Sequence, residues 1–236
     1  MLLIFVSVFP VIVIMIYIYF RDKYEKEPLW LLIKAFAGGI LSAVATILFF
    51  IPFHNSLPEF QNVLANAMFK AFFGAAIPEE IFKFIFLYLI IWKNRNFNEY
   101  YDGIIYAVFV SLGFACLENI FYVTEHGMGV GIARGIFAVP GHALDGVIMG
   151  YFLSLARFMP QRKTEFIFKS LFYAILAHGI YDFLLFYASG ISESSPALSV
   201  LAMLVFLTFI IYLWRLGFRK MKRHIEASVF KRQIMK

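Results

Sequence analysis

Seven apolar stretches, near residues 2–20, 29–53, 62–92, 103–124, 132–157, 166–187 and 197–214, take up most of this 236-residue chain. Each is long enough to cross about 30 Å of hydrocarbon as a helix. Inside lipid every backbone N–H and C=O must find its partner within the protein, and the α-helix meets that demand within a single segment. The sequence therefore predicts an all-α polytopic membrane helical bundle of about seven transmembrane helices, forming one integral membrane domain over residues 1–236. Composition agrees: 62% of residues are hydrophobic and 30 are Phe, whereas a soluble domain holds about 45–50% apolar residues.

The first stretch lacks the basic leading region and the small-residue cleavage site of a secretory signal, so it reads as a span. Lys and Arg fall in alternate connections. One set holds Arg21, Lys23, Lys26 and Lys34, then Lys93 and Arg95, then Arg157, Arg162, Lys163 and Lys169, and finally the tail from Arg215 to Lys236. The opposite connections, "HNSLPEFQN", "TEHGMGVGIA" and "SGISESSP", hold none. The positive-inside rule then predicts an N-terminus outside and a C-terminus in the cytoplasm. The same blocks account for the net charge of +6, which is spread over membrane flanks rather than along a phosphate-tracking groove, so no nucleic acid is expected as a partner. The single cysteine, Cys116, has no partner for a disulfide or a thiolate metal site. The tail "RKMKRHIEASVFKRQIMK" reads as a solvated basic flank, with an interfacial amphipathic helix as the alternative.

Once the topology charges are set aside, the ionisable residues left lie within spans, where charge is costly and marks function. They are Glu79, Glu80 and Lys83 in the third, Glu118 in the fourth, His142 and Asp145 in the fifth, and His178 and Asp182 in the sixth; Arg134 and Lys70 also escape the topology scheme. Counting about 1.5 Å per residue from the nearest cytoplasmic flank puts Glu80, Glu118, His142 and His178 at one level, roughly 20–24 Å in. Helices running in opposite directions thus agree on depth, as a single buried site in the outer half of the bilayer would require. Within helices, Glu79 and Glu80 precede Lys83 by four and three positions, and His178 precedes Asp182 by four, so each set shares a face.

"PEEIFKF" (Glu79, Glu80, Lys83), "FACLEN" (Phe114, Glu118, Asn119), "PGHALDG" (His142) and "AHGIYDF" (His178, Asp182) resemble, in order and spacing, the conserved segments of PrsW-type intramembrane proteases, relatives of the CAAX prenyl proteases and of the APH subunit of gamma-secretase. The likeness runs from about residue 75 to 186 and implies a catalytic core at about 60–190. CAAX proteases carry EExxxR and FxxxH; here the basic residue is one position closer and Glu118 follows Phe114 as FxxxE, which points to the PrsW branch. The resemblance implies a glutamic-type intramembrane endopeptidase in a bacterial cell membrane. On the same resemblance, such an enzyme is expected to cut a membrane-anchored substrate such as an anti-sigma factor near the outer side, as the first step of an envelope-stress response.

Peptide hydrolysis needs an activated water, a polarised carbonyl and a proton for the leaving amine. The expected site is Glu79, Glu80, Lys83, Glu118, Asn119, His142, His178 and Asp182. One of the adjacent glutamates serves as base, His178 as its partner or as proton donor, and Asn119 or His142 stabilises the oxyanion. Lys83 tunes the glutamates while Glu118 and Asp182 orient their neighbours. Asp145 and Arg134 have no assigned role. No cofactor is predicted, because HExxH is absent and Lys83 opposes a cation; a divalent metal such as zinc held by the same Glu, His and Asp residues is the competing mechanism. A non-catalytic scaffold and a proton-coupled transporter are the other classes, and the absence of an internal repeat speaks against transport.

Overall fold

A computed structural model describes residues 2–50, 52 and 58–231, and every regular element among them is helical. In chain order these are α1 (Leu2–Arg21), α2 (Leu29–Phe50), α3 (Val63–Phe69), a π-helical segment (Lys70–Ala76), α4 (Ile77–Ile91), α5 (Tyr100–His126), α6 (Met128–Ile136), α7 (Ala138–Phe158), a 3-10 turn (Pro160–Arg162), α8 (Lys163–Gly190) and α9 (Pro196–Glu226). The end of the second apolar stretch, the first four residues of the "HNSLPEFQN" connection and the last five of the tail lie outside the described residues.

Among the described residues, six helical stretches are long and apolar enough to cross a membrane: α1, α2, α5, α6 together with α7, α8 and α9. The third stretch, expected as one long span, is divided among α3, the π-helical segment and α4. Its helical path is unbroken, but the turn widens just before Pro78, a residue with no N–H to donate. The fifth stretch is also divided, at Phe137 between α6 and α7.

The centre of the bundle is α5, 78% of whose span is buried, against 17% for α1 and for α9. Lipid solvates those two outer helices, which is why their exposed faces carry Leu, Ile, Val and Phe. The approach of α2 to α5 depends on absent side chains. A Cβ on Gly39 would lie 1.9 Å from the Val110 carbonyl oxygen, and one on Gly113 would lie 2.0 Å from that of Phe36. Small residues at helix crossings of this kind are the usual means of close packing in lipid, where helices gain nothing from leaving water.

At the basic end of the bundle the connection between α1 and α2 folds under α5. Tyr106 donates to Glu27, Ser228 donates to Glu99, and the Lys26 ammonium donates to the Tyr19 carbonyl at 2.7 Å. The tail is therefore not a free flank: α9 continues to Glu226, and His224 stacks on Tyr151 and reaches the Tyr100 carbonyl at 2.9 Å. Burial, with repulsion from Glu99 and Glu27, pushes the Asp22 carboxyl up from 3.8 to about 7. Burial likewise pushes Glu27 from 4.5 to about 7.

Gly113→Ala should cost about 1–3 kcal/mol, read as a lower unfolding temperature in detergent, because the contacted atom is backbone and cannot move aside; Gly129→Ala, which meets nothing within 4 Å, should leave that temperature unchanged or raise it. Asp22 and Glu27 both bind protons more tightly folded than unfolded, so their contribution is fully present below their unfolded values and is lost as pH rises through about 7. Unfolding should thus occur at a higher temperature at pH about 5.5 than at pH about 8, and Asp22→Asn combined with Glu27→Gln should flatten that dependence.

Candidate active site

Directly after the widened turn, α4 presents Glu79, Glu80 and Lys83 within its first two turns. The Lys83 side chain is fully buried, and its ammonium donates to Glu80 Oε1 at 2.7 Å and to Glu79 Oε2 at 3.5 Å. It also lies 4.1 Å over the ring of Phe114 on α5, a cation–π contact. From α7, His142 brings Nδ1 to 3.1 Å from Lys83 Nζ. An ammonium has donors only, so Nδ1 accepts; the ring proton then sits on Nε2 and is donated to Glu118 Oε2 on α5, 2.9 Å away.

The fourth contributor is α8. His178 Nδ1 is 2.8 Å from Glu80 Oε1, and Nε2 is 3.3 Å from Asp182 Oδ2. Glu79 Oε2 and Asp145 Oδ2 each lie 3.9 Å from a nitrogen of the same ring. The two imidazoles stand edge to face with centroids 5.3 Å apart. A continuous chain of polar contacts therefore runs from Glu118 through His142, Lys83, Glu80 and His178 to Asp182, drawing on α4, α5, α7 and α8. The four residues expected from sequence to share one depth are joined along it.

Beside this chain is a cavity of about 440 Å³ whose polar wall comprises Glu79, Glu118, Arg134, His142, Asp145, His178 and Asp182. Tyr122, Tyr181 and Phe206 supply part of its apolar wall. Glu80 and Lys83 lie behind that wall, both fully buried. The adjacent glutamates thus face different surroundings.

Of the residues expected from sequence, Asn119 is the one that joins neither the polar chain nor the cavity wall. Its amide N–H donates to the Ser7 carbonyl on α1 at 2.8 Å, and its amide oxygen accepts from Arg134 Nε at 3.0 Å. Arg134, left without a role by the sequence, reaches Glu118 Oε2 with Nη2 at 2.9 Å and covers the ring of Tyr122 at 4.0 Å. Its signal was legible as a basic residue outside the topology pattern. Asp145 was marked in the same way, three positions after His142. The role of Phe114 as the face beneath Lys83 had only its FxxxE spacing to announce it.

The donor set also suits a metal. Glu79, Glu80, His142 and His178 each offer one ligand atom, all within 4.8 Å of one another, and two imidazoles with two carboxylates are ligands that zinc accepts. Lys83 already engages three of those donors, so a metal ion and the charged ammonium compete for Glu79, Glu80 and His142.

Residues 27–213 match the family model described as PrsW family intramembrane metalloprotease. Among curated proteins the chain is 34% identical to protease PrsW of Bacillus subtilis over 215 residues, 91% of each chain. It is 36% identical to protease PrsW of Geobacillus kaustophilus over 183 residues, 78% of this chain and 79% of that one. To protease PrsW of Clostridioides difficile it is 30% identical over 231 residues, 94% of this chain and 91% of that one. No solved structure matches. The chain belongs to the PrsW family of intramembrane proteases.

Proposed function

We propose that this protease cuts a single-span membrane substrate near the extracytoplasmic side, with Glu79 as the general base. The observation that carries the assignment is the asymmetry of the adjacent glutamates: Glu79 lines the cavity, whereas Glu80 is fully buried between Lys83 and His178. A base must reach the water it activates, and only the first of the pair does so. Glu80 holds Lys83 and His178 in position. His178, which has carboxylate acceptors at both ring nitrogens, carries the proton for the leaving amine. Arg134 spends Nε on Asn119 and one N–H of Nη2 on Glu118, leaving three N–H groups for a developing oxyanion at the cavity wall. Asn119 is then a positioning residue for Arg134.

The third apolar stretch counts as a seventh crossing in this reading, with α3, the π-helical segment and α4 in series. The N-terminus lies outside and the basic connections face the cytoplasm. Glu80, thirteen residues from Lys93, then sits roughly 20 Å from the cytoplasmic edge, in the outer half of the bilayer. A first, extracytoplasmic cut in a membrane-anchored regulator such as an anti-sigma factor fits that depth.

One observation favours a metal-dependent version of the same reaction, namely the four donor atoms gathered within 4.8 Å. An ion held by Glu79, Glu80, His142 and His178 supplies Lewis acidity to a carbonyl when bound. Lys83 would then have to withdraw from Glu79, Glu80 and His142, leaving the face of Phe114 as its contact.

With purified protein and a single-span substrate in liposomes, Glu79→Gln should lower turnover by about 10²–10⁴-fold at an unchanged unfolding temperature. Glu80→Gln should lower both, the stability loss being about 3 kcal/mol, because Lys83 and His178 lose a shared buried carboxylate; full activity in either variant refutes the assignment. Prolonged treatment with a zinc chelator separates the two mechanisms. Activity unchanged after chelation, with no metal found by elemental analysis, supports the Lys83 arrangement, and loss restored by added zinc supports the metal one.

A further inference from the structure

A second cavity, of about 370 Å³, lies on the opposite side of α8 from the candidate active site, between α7, α8 and α9. Its lining on α8 runs from Lys169 to Ile180, and on α9 from Phe209 to Lys220. Eleven residues on each helix correspond to about 16 Å, close to half of a hydrocarbon core of about 30 Å. The helices are antiparallel, so Lys169 and Lys220 share the basic end while Ile180 and Phe209 share the deep end. Between them the walls are aliphatic and aromatic, among them Tyr173, Leu176 and Leu213. The groove is one leaflet deep, apolar below and cationic at its rim.

The rim carries excess positive charge. Lys169 shares Glu165 with Arg162, two cations for one carboxylate. Lys220 makes no ion pair among the described residues; its ammonium lies 3.8 Å over Tyr151 and 4.4 Å over Phe152, and the charged groups that act on it are Arg223 and Arg219, both positive. At the basic end of the bundle this cation has ring faces and other cations for company and no carboxylate partner among the described residues.

From this charge pattern and depth we propose that the groove binds one anionic diacyl phospholipid of the cytoplasmic leaflet. Its phosphate lies between Lys169 and Lys220, and an acyl chain descends along Tyr173 and Leu176 toward Phe209. A zwitterionic lipid offers the same chains but brings its own ammonium to a rim already crowded with positive charge, so the groove selects by headgroup.

The test uses full-length protein in nanodiscs containing equal amounts of phosphatidylglycerol and phosphatidylcholine, released into the gas phase for native mass spectrometry. One phosphatidylglycerol should be retained at least about fivefold more often than phosphatidylcholine, and the Lys169→Gln/Lys220→Gln double variant should lose that preference. Lys222→Gln, an exposed lysine paired with Glu226, removes one charge outside the groove and should keep it. Should the double variant fail to accumulate, wild-type protein with a phosphatidylglycerol bearing a photoreactive acyl chain replaces it, and crosslinks should fall on peptides of α8 and α9 that contain Leu176 or Phe209. Equal retention of the two lipids, wild-type preference in the double variant, or crosslinks elsewhere overturns the proposal. So does displacement of the lipid by a single-span substrate peptide, or a mass of two chains in place of the lipid adduct.

Discussion

The Lys83 ammonium is the interaction on which the rest of this structure depends. It is fully buried, contacts Glu80 and His142 directly, and rests on the ring of Phe114. An uncompensated charge in such surroundings costs several kcal/mol, so the helices that carry its partners must meet. Contacts from α4, α5 and α7 converge on that one nitrogen, and Glu80 passes the link to α8. The same point fixes which residues can be functional: around Lys83 and Arg134 the bundle gathers Glu79, Glu80, Glu118, Asp145 and Asp182, more carboxyl groups than fixed cations. The excess negative charge has to be balanced by protons on the histidines or carboxyls, or by a cation. A site that exchanges protons readily, or that attracts a metal ion, is the consequence of that imbalance rather than an addition to it.

The bundle is arranged to make this gathering affordable. Packing of α2 against α5 is so close at Gly39 and Gly113 that no Cβ fits, which keeps α5 in the middle. From there Glu118 and Phe114 face α7 and α4. The widened helical turn at Lys70–Ala76 and Pro78 lie immediately before the two glutamates. Where an α-helical ladder is already interrupted, the following side chains can be re-aimed at little further cost. On the other side, α6 is short and separated from α5 at Gly127, whose φ of 84° favours a residue without a Cβ. That break lets Arg134 on α6 turn back onto Glu118 and Asn119 on α5.

Much of the site was legible because the membrane simplifies the reading. Charge in a span is expensive, so each residue that broke the apolar pattern was informative, and Glu79, Glu80, Lys83, Glu118, His142, His178 and Asp182 do meet. Depth was readable from residue counts, since a helix in lipid advances steadily from its flank. Azimuth was not. Whether a side chain points at the cavity, behind it or at a neighbouring helix depends on rotations that only packing fixes. Asn119 therefore looked as much a part of the site as Glu118, its chain neighbour, yet it is turned toward α1 and Ser7. Local breaks were hidden for a related reason: the π-helical segment, the division at Phe137 and the docking of His224 on Tyr151 come from tertiary contacts that no hydropathy window contains.

The adjacent glutamates show what azimuth decides. Successive helical residues differ by about 100° around the axis, so two identical side chains in sequence cannot have identical surroundings at the edge of a cavity. Glu80 falls on the inner side, where Lys83 and His178 use one of its oxygens and fill the space around it. Glu79 falls on the outer side, further from Lys83 and His178 and within the cavity wall. A carboxylate held that firmly is suited to setting positions, because moving it would strand two buried partners. One held loosely and facing open volume is suited to exchanging a proton with water. Either a different number of residues between Pro78 and the pair or a regular α-helical turn in place of the widened one would rotate both, and the division of labour between them would be lost even though every residue type was kept.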